Sequence, residues 1–171
     1  MMKTNGFYKL FVKELRDLFN AENQIVKLMP RMIEASFTPE LREAFESHLE
    51  ESYVQIQRLE KIFATLNERP EGEVCKAMRG LVEEAQDAID SDFTELVKDA
   101  YLIGAAQRIE HYEMAGYGVA RTFADQLNLT DVKDLLDETL DEESNADEEL
   151  TKIAQGGFFT AGVNKRAKEG F

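Results

Sequence analysis

Ala105-Ala106-Gln107-Arg108-Ile109-Glu110-His111-Tyr112-Glu113-Met114-Ala115 reads as a helix that carries carboxylates on the side it should bury. Positions three and four apart share one face of a helix. Gln107, Glu110, Met114 and Tyr117 therefore stand together, with Glu113 on the same side. His111 lies about 100° around the helix from Glu110, toward the surface or a neighbouring helix. Three other segments repeat the pattern. Glu22 is four residues after Leu18 and three before Ile25. Glu51 is three after His48 and four before Gln55, in a segment that also holds Phe45, Ser52, Ile56 and Leu59. Glu143 follows Leu136 and Leu140 and precedes Asp147 and Leu150. The adjacent Glu50 and Glu142 are rotated away and are expected to face outward. Helices that each place a carboxylate on an apolar stripe near mid-length predict an all-α, antiparallel four-helix bundle with a polar centre.

The breakers delimit these helices. The first runs from about Thr4 to Ala35 with a stripe of Phe7, Phe11, Leu15, Leu18, Ile25 and Met29, and Pro30 is expected to kink it. Thr38-Pro39 pairs an N-cap with a proline at the first helical position, and the second helix then reaches Asn67. Arg69-Pro70-Glu71-Gly72 is a break, followed by a shorter helix from Val74 to Ile89. Ser91-Asp92 is read as the cap of a helix from Phe93 to Leu127, and Thr130-Asp131 as the cap of one from Val132 to Gln155. Gly156-Gly157 ends the bundle domain, 1–157, and leaves a tail, 158–171, in which Phe158 and Phe159 either dock or remain loose. The first and last pairs of long helices have short connections and form hairpins. The middle connection is long and carries its own helix, as in ferritin-like folds with one crossover.

Composition limits the function classes. The chain has 34 acidic and 20 basic side chains, a net charge of −14. So acidic a protein is a poor ligand for nucleic acid or anionic membranes, whose recognition rests on Lys and Arg. No apolar run approaches the roughly 20 residues of a membrane span. Cys75 is the only cysteine and is expected to be a small buried hydrophobe. One unpaired cysteine and an N-terminus without a signal-peptide pattern predict a soluble, cytoplasmic protein.

Converging carboxylates need compensation. Glu is seldom buried unless paired, and an isolated buried charge is very costly. Divalent cations with oxygen ligands resolve the repulsion, and iron or manganese suit such a set. Glu22, Glu51, Glu110 and Glu143 are the primary candidate ligands. Glu113 and Asp147 are candidates for ligation or for support of the ligands, and His48 for ligation or for a hydrogen-bonded core role. A faint repeat runs beside them. Glu50-Glu51-Ser52 with Gln55 parallels Glu142-Glu143-Ser144 with Asp147, and Ala21-Glu22 parallels Ile109-Glu110, as in two related hairpins.

Asp17 with Ala21-Glu22-Asn23-Gln24, His48-Leu49-Glu50-Glu51-Ser52, Glu110-His111-Tyr112-Glu113, and Leu140-Asp141-Glu142-Glu143 with Asp147 together resemble the YciE/YciF family of bacterial ferritin-like proteins. The resemblance spans about residues 5–157, and its strongest block is 105–115. It implies a ferritin-like bundle, a homodimer, a centre of two metal ions and a link to bacterial stress responses. It supplies no biochemical activity. The chain departs from the usual ferritin-like pattern of Glu-x-x-His on two helices. Tyr53 follows Glu50, Val54 follows Glu51 and Ala146 follows Glu143 at the histidine position, while His48 precedes Glu51 in reverse order. Two functions of different class are consistent with these residues. One is a di-iron or di-manganese carboxylate protein with redox chemistry on oxygen or peroxide, with Tyr112 and Tyr117 nearby. The other is a non-catalytic stress or interaction protein whose polar core is structural.

Overall fold

The structure is a computed structural model that describes residues 5–72, 74–157 and 160–170. Within these residues the chain is helical, with α1 (Gly6–Ala35), α2 (Pro39–Leu66), α3 (Lys76–Ile89), α4 (Glu95–Gln126), α5 (Thr130–Gln155) and α6 (Val163–Glu169). The four long helices form the predicted bundle. Its tightest pairs are the hairpins α1–α2 and α4–α5, and α2–α5 and α1–α4 close the ring. No helix among the described residues is long and apolar enough to cross a membrane.

The ends differ from the sequence expectations for local reasons. Asn5 caps α1 by accepting from the Phe7 amide, so the helix starts at Gly6. α1 then continues through Pro30 to Ala35. Thr38 occupies the N-cap position of α2, but its side chain makes no capping bond. The cap of α3 is Cys75, whose Sγ accepts from the Met78 amide, so that helix begins at Lys76 rather than Val74. α4 starts at Glu95 after an extended Thr94, later than the Ser91-Asp92 signal suggests. Thr130 is the first residue of α5 and not its cap. Asn67 and Asn128 take left-handed conformations at the ends of α2 and α4, a role that Asn fills better than most non-glycine residues.

The crossover returns the chain along the bundle. Arg16 Nε donates to the Arg69 carbonyl at 2.9 Å, Asn20 Oδ1 accepts from the Cys75 amide at 2.8 Å, and Arg31 reaches Gln86 and Asp90. The segment therefore runs parallel to α1 and delivers the start of α4 to the far end of that helix. There Asp99, fully buried on α4, accepts from the amides of Phe37 and Thr38 at 2.8 Å each. This carboxylate holds the α1–α2 turn in place of the absent Thr38 cap.

Two apolar halves make up the interior. One contains Tyr8, Phe11, Leu15, Leu18, Leu59, Phe63, Tyr117 and Leu136. The other contains Ala21, Ile25, Met29, Phe45, Ile109 and Leu150, and reaches α3 through Met78 and Ala85. Gly116 allows α4 to approach α1, since a Cβ there would stand 2.7 Å from a Leu18 methyl. α6 packs on α4 and α5, and its Val163 joins the second half. Phe158 and Phe159, the aromatic pair noted in the tail, lie outside the described residues.

Replacing Asp99 by Ala would strand two amides that now bind a buried carboxylate, and should cost about 2–4 kcal/mol. Asp99→Asn, which keeps one acceptor, should lose less. Urea unfolding midpoints of the two variants check this, and equal losses would refute the clamp.

Candidate metal centre

Between the apolar halves lies a polar layer. Each long helix supplies it from the gap in its own stripe: Glu22 from α1, His48, Ser52 and Gln55 from α2, Glu110 and Glu113 from α4, and Thr139 and Glu143 from α5. All are buried. His48, Glu110, Glu113 and Glu143 converge so closely that one ligand atom from each lies within 4.8 Å of the others. Glu22 adjoins this group, close enough for its charge to act on Glu110 and Glu113. The Tyr117 hydroxyl donates to Glu22 Oε1 at 2.5 Å. Gln55 Nε2 donates to Glu143 Oε1 at 2.5 Å, and His48 Nε2 stands 3.5 Å from Glu110 Oε1.

These contacts leave much unsatisfied. Glu22 Oε2, Glu110 Oε2, Glu143 Oε2, both oxygens of Glu113 and both ring nitrogens of His48 have no hydrogen-bond partner. Buried polar atoms without partners are rare in folded proteins, because each retains the full penalty of leaving water. On His48, Glu110, Glu113 and Glu143 they belong to side chains whose ligand atoms converge within 4.8 Å of one another. Such a donor set fits a borderline divalent cation that takes both oxygen and nitrogen ligands.

Without a cation, the layer must hold protons. Burial pushes the carboxyl of Glu22 well above its usual range, reinforced by the Glu143 carboxylate and only partly offset by the bond from Tyr117. Glu110 rises through burial, the charge and hydrogen bond of Glu143, and the charges of Glu22 and Asp147. Glu113 rises through burial and the charges of Glu143, Glu22 and Glu110. Burial and Glu22 likewise push the Tyr117 phenol upward. All act in one direction: a charged group is disfavoured by low polarity and by like charge.

Two other sequence candidates stand outside the close cluster. Glu51 is half-buried at the edge of α2, because the buried line of that helix passes through His48, Ser52 and Gln55. Its carboxyl is raised by burial and then by Glu142, Glu143 and Glu149. Asp147 turns to the other flank of α4, where Gln107 donates to it at 3.0 Å and exposed His111 stands 3.3 Å away. Glu50 is exposed, as its register predicts.

Glu142 is not left to solvent. It is half-buried and receives Arg58 through two bonds of 2.8 Å, with Gln55 Nε2 at 3.2 Å. Carboxylates on apolar stripes give no hint of Arg58, and they pair Gln55 with Glu51 rather than with Glu143. Their spacing was a signal, since Gln55 and Arg58 stand three apart and follow Ser52 on the same side of α2. Cys75 is buried as expected but is not simply apolar: its Sγ lies 3.0 Å from the Tyr112 hydroxyl, which also donates to Asp17.

Comparison with known proteins agrees with this architecture. A family described as a domain of unknown function, DUF892, matches residues 7–168. Protein YciF of Escherichia coli K12 is 39% identical over 160 residues, 93% of each chain. The chain belongs to the YciF family. The crystal structure of the E. coli stress protein YciF covers 87% of this chain and 94% of its own, with a TM-score of 0.84 and 38% identity. YcfI of Rhodopseudomonas palustris, described as a structural protein, has the same TM-score at 37% identity, over 88% of this chain and 96% of its own. A ferritin-like, diiron-carboxylate protein of Bacillus anthracis has a TM-score of 0.68 at 16% identity, over 87% of this chain and 98% of its own, and shares the fold. The YciF fold is thus of the ferritin-like class.

The raised carboxyls fix the sign of a pH response. Folded-state values of Glu22, Glu110 and Glu113 above their unfolded values give stability that is complete below the unfolded range. That stability is lost as pH rises through the folded values. Metal-free protein should therefore melt at a higher temperature near pH 5.5 than near pH 7.5 in calorimetry. A steady fall in melting temperature from pH 7 to 5 would show that the polar layer does not govern the response.

Proposed function

We propose that this protein is a di-metal carboxylate protein in which His48, Glu22, Glu110, Glu113 and Glu143 hold two divalent ions, iron or manganese. The observation that carries the reading is the set of unpartnered oxygens and ring nitrogens on four buried, mutually close side chains. A structural polar core would be expected to satisfy its own members. The imidazole supports the same reading. Ala146 on α5 replaces the histidine of a Glu-x-x-His pair, and His48 of α2 supplies a ring nitrogen from across the bundle.

The rest of the site supports and insulates these ligands. Gln55 orients Glu143, while Arg58 holds Glu142 and keeps a second carboxylate out of the layer. Tyr117 fixes Glu22 and can move a proton to or from it. The apolar halves on both sides exclude water, which strengthens every electrostatic contact in the layer. Bound iron or manganese would supply redox chemistry on oxygen or peroxide, a function compatible with the stress association named for the E. coli relative. The homodimer implied by the family resemblance is part of this proposal and is checked by sedimentation equilibrium.

Full-length protein dialysed against Mn(II) or anaerobic Fe(II) should bind about two ions per chain. Ligand at 100 times Kd should add about 2.7 kcal/mol of stability by linkage. The double variant E113Q/E143Q should lose metal and keep its helical circular dichroism. Oxygen uptake on adding Fe(II) should accompany loading in the native protein only. A protein that melts identically with and without metal would instead be the non-catalytic stress protein with a structural core.

A further inference from the structure

A metal centre sealed between two apolar layers needs a way in. A small internal void of about 20 Å³ lies between α2 and α5, bordered by Ser47, His48, Glu51, Glu110, Ala146 and Glu149 among others. A space of 10–15 Å³ on this measure holds one water, so this one admits a single water or ion. Its inner wall contains His48 and Glu110, both more than nine-tenths buried and both with polar atoms that lack partners. Its outer wall contains half-buried Glu51 and exposed Glu149. Glu149 also lines a broad surface cleft of about 630 Å³ together with Glu40, Lys152, Gly156, Thr160, Gly162 and Arg166 among others. One side chain thus borders both the solvent cleft and the internal void.

Ala146 borders this void. Ala146 lies one turn from Glu143, at the position where the ferritin-like pattern has a histidine. A small side chain there leaves room that an imidazole would fill. The void has three carboxylates and no Lys or Arg on its wall. The other large cleft, about 500 Å³, is lined by Lys13, Arg16 and Lys76 and touches no residue of the four-residue cluster. Three basic side chains against one carboxylate, Asp17, make it a poorer entry for a cation than the 630 Å³ cleft, where Glu40 and Glu149 balance Lys152 and Arg166.

We propose that Glu51 and Glu149 form the inlet through which a divalent cation passes from the surface cleft to the His48–Glu110 end of the cluster, with Ala146 keeping the passage open. This rests on the metal-centre reading. Glu149 captures the hydrated ion, Glu51 takes it at the edge of α2, and the unpartnered atoms of His48 and Glu110 receive it. Negative charge at the mouth raises local cation concentration, so the effect falls on the rate of loading and decreases with salt.

Stopped-flow absorption with Co(II) as probe, on the full chain, tests this. E149Q should slow Co(II) association about threefold and E51Q/E149Q about tenfold at low ionic strength, within the range that electrostatic focusing provides. Both should keep the native stoichiometry, and the salt dependence of the on-rate should shrink. A146L, which fills the void, should slow loading at every salt concentration. Because Glu149 is exposed, E149Q keeps the experiment decisive if A146L fails to fold. An unchanged on-rate in E51Q/E149Q would overturn the inlet while leaving the centre intact. Lost stoichiometry in that variant would make Glu51 a ligand and also overturn it. Failure of the native protein to bind Co(II) would remove the centre itself.

Discussion

The mutual repulsion of carboxylates that have been taken out of water is the constraint to which the rest of the structure answers. Glu22, Glu110, Glu113 and Glu143 meet in a buried layer. Such charges at close range in a low-polarity interior interact far more strongly than at a surface. The molecule therefore needs protons or cations at its centre. Around this layer the bundle is conventional: two apolar halves, both built on Phe, Leu and Ile and one of them also on Met, supply the burial that offsets the polar centre. The supporting contacts are placed where the repulsion would otherwise spread. Tyr117 donates to Glu22, Gln55 to Glu143, and Arg58 neutralises Glu142 beside the layer.

The fold was readable because its signals are local and repeated. Long stretches of helical period, Pro39 at a helix start, the Arg69-Pro70 break and the Gly156-Gly157 stop identify the long helices and the crossover. Helix starts were less readable, because capping depends on partners that sequence does not reveal. Thr38 looks like a cap, yet the turn it sits in is held by Asp99, over 60 positions away in the chain. Cys75 looks apolar, yet it serves as the cap of α3.

The site was readable wherever a carboxylate interrupts an apolar stripe, as Glu22, Glu110 and Glu143 do. On α2 the phase was harder to read. The buried positions between Phe45 and Leu59 are His48, Ser52 and Gln55, all polar, so the hydrophobic pattern is blank where it is needed most. Extrapolating across that gap through Ile56 brings Glu51 too far inward and undervalues His48. Arg58 was invisible, and Glu142 was placed in solvent, for a related reason. A charged pair flanking a stripe looks like solvated surface until the facing helix is known.

The long crossover has a consequence for how this chain assembles. α1 and α2 meet through a short turn, as do α4 and α5, so each hairpin closes a short loop and can form early. The contacts that join them link distant positions: Tyr117 to Glu22 and Tyr112 to Asp17 each span 95 residues. Docking of the hairpins is therefore the slow, non-local event. It is also the step at which all the interior carboxylates leave water together. Before it they are hydrated and ionised. Completion of the native state is thus tied to the capture of protons or cations, and the folding rate inherits a dependence on both that neither hairpin has alone.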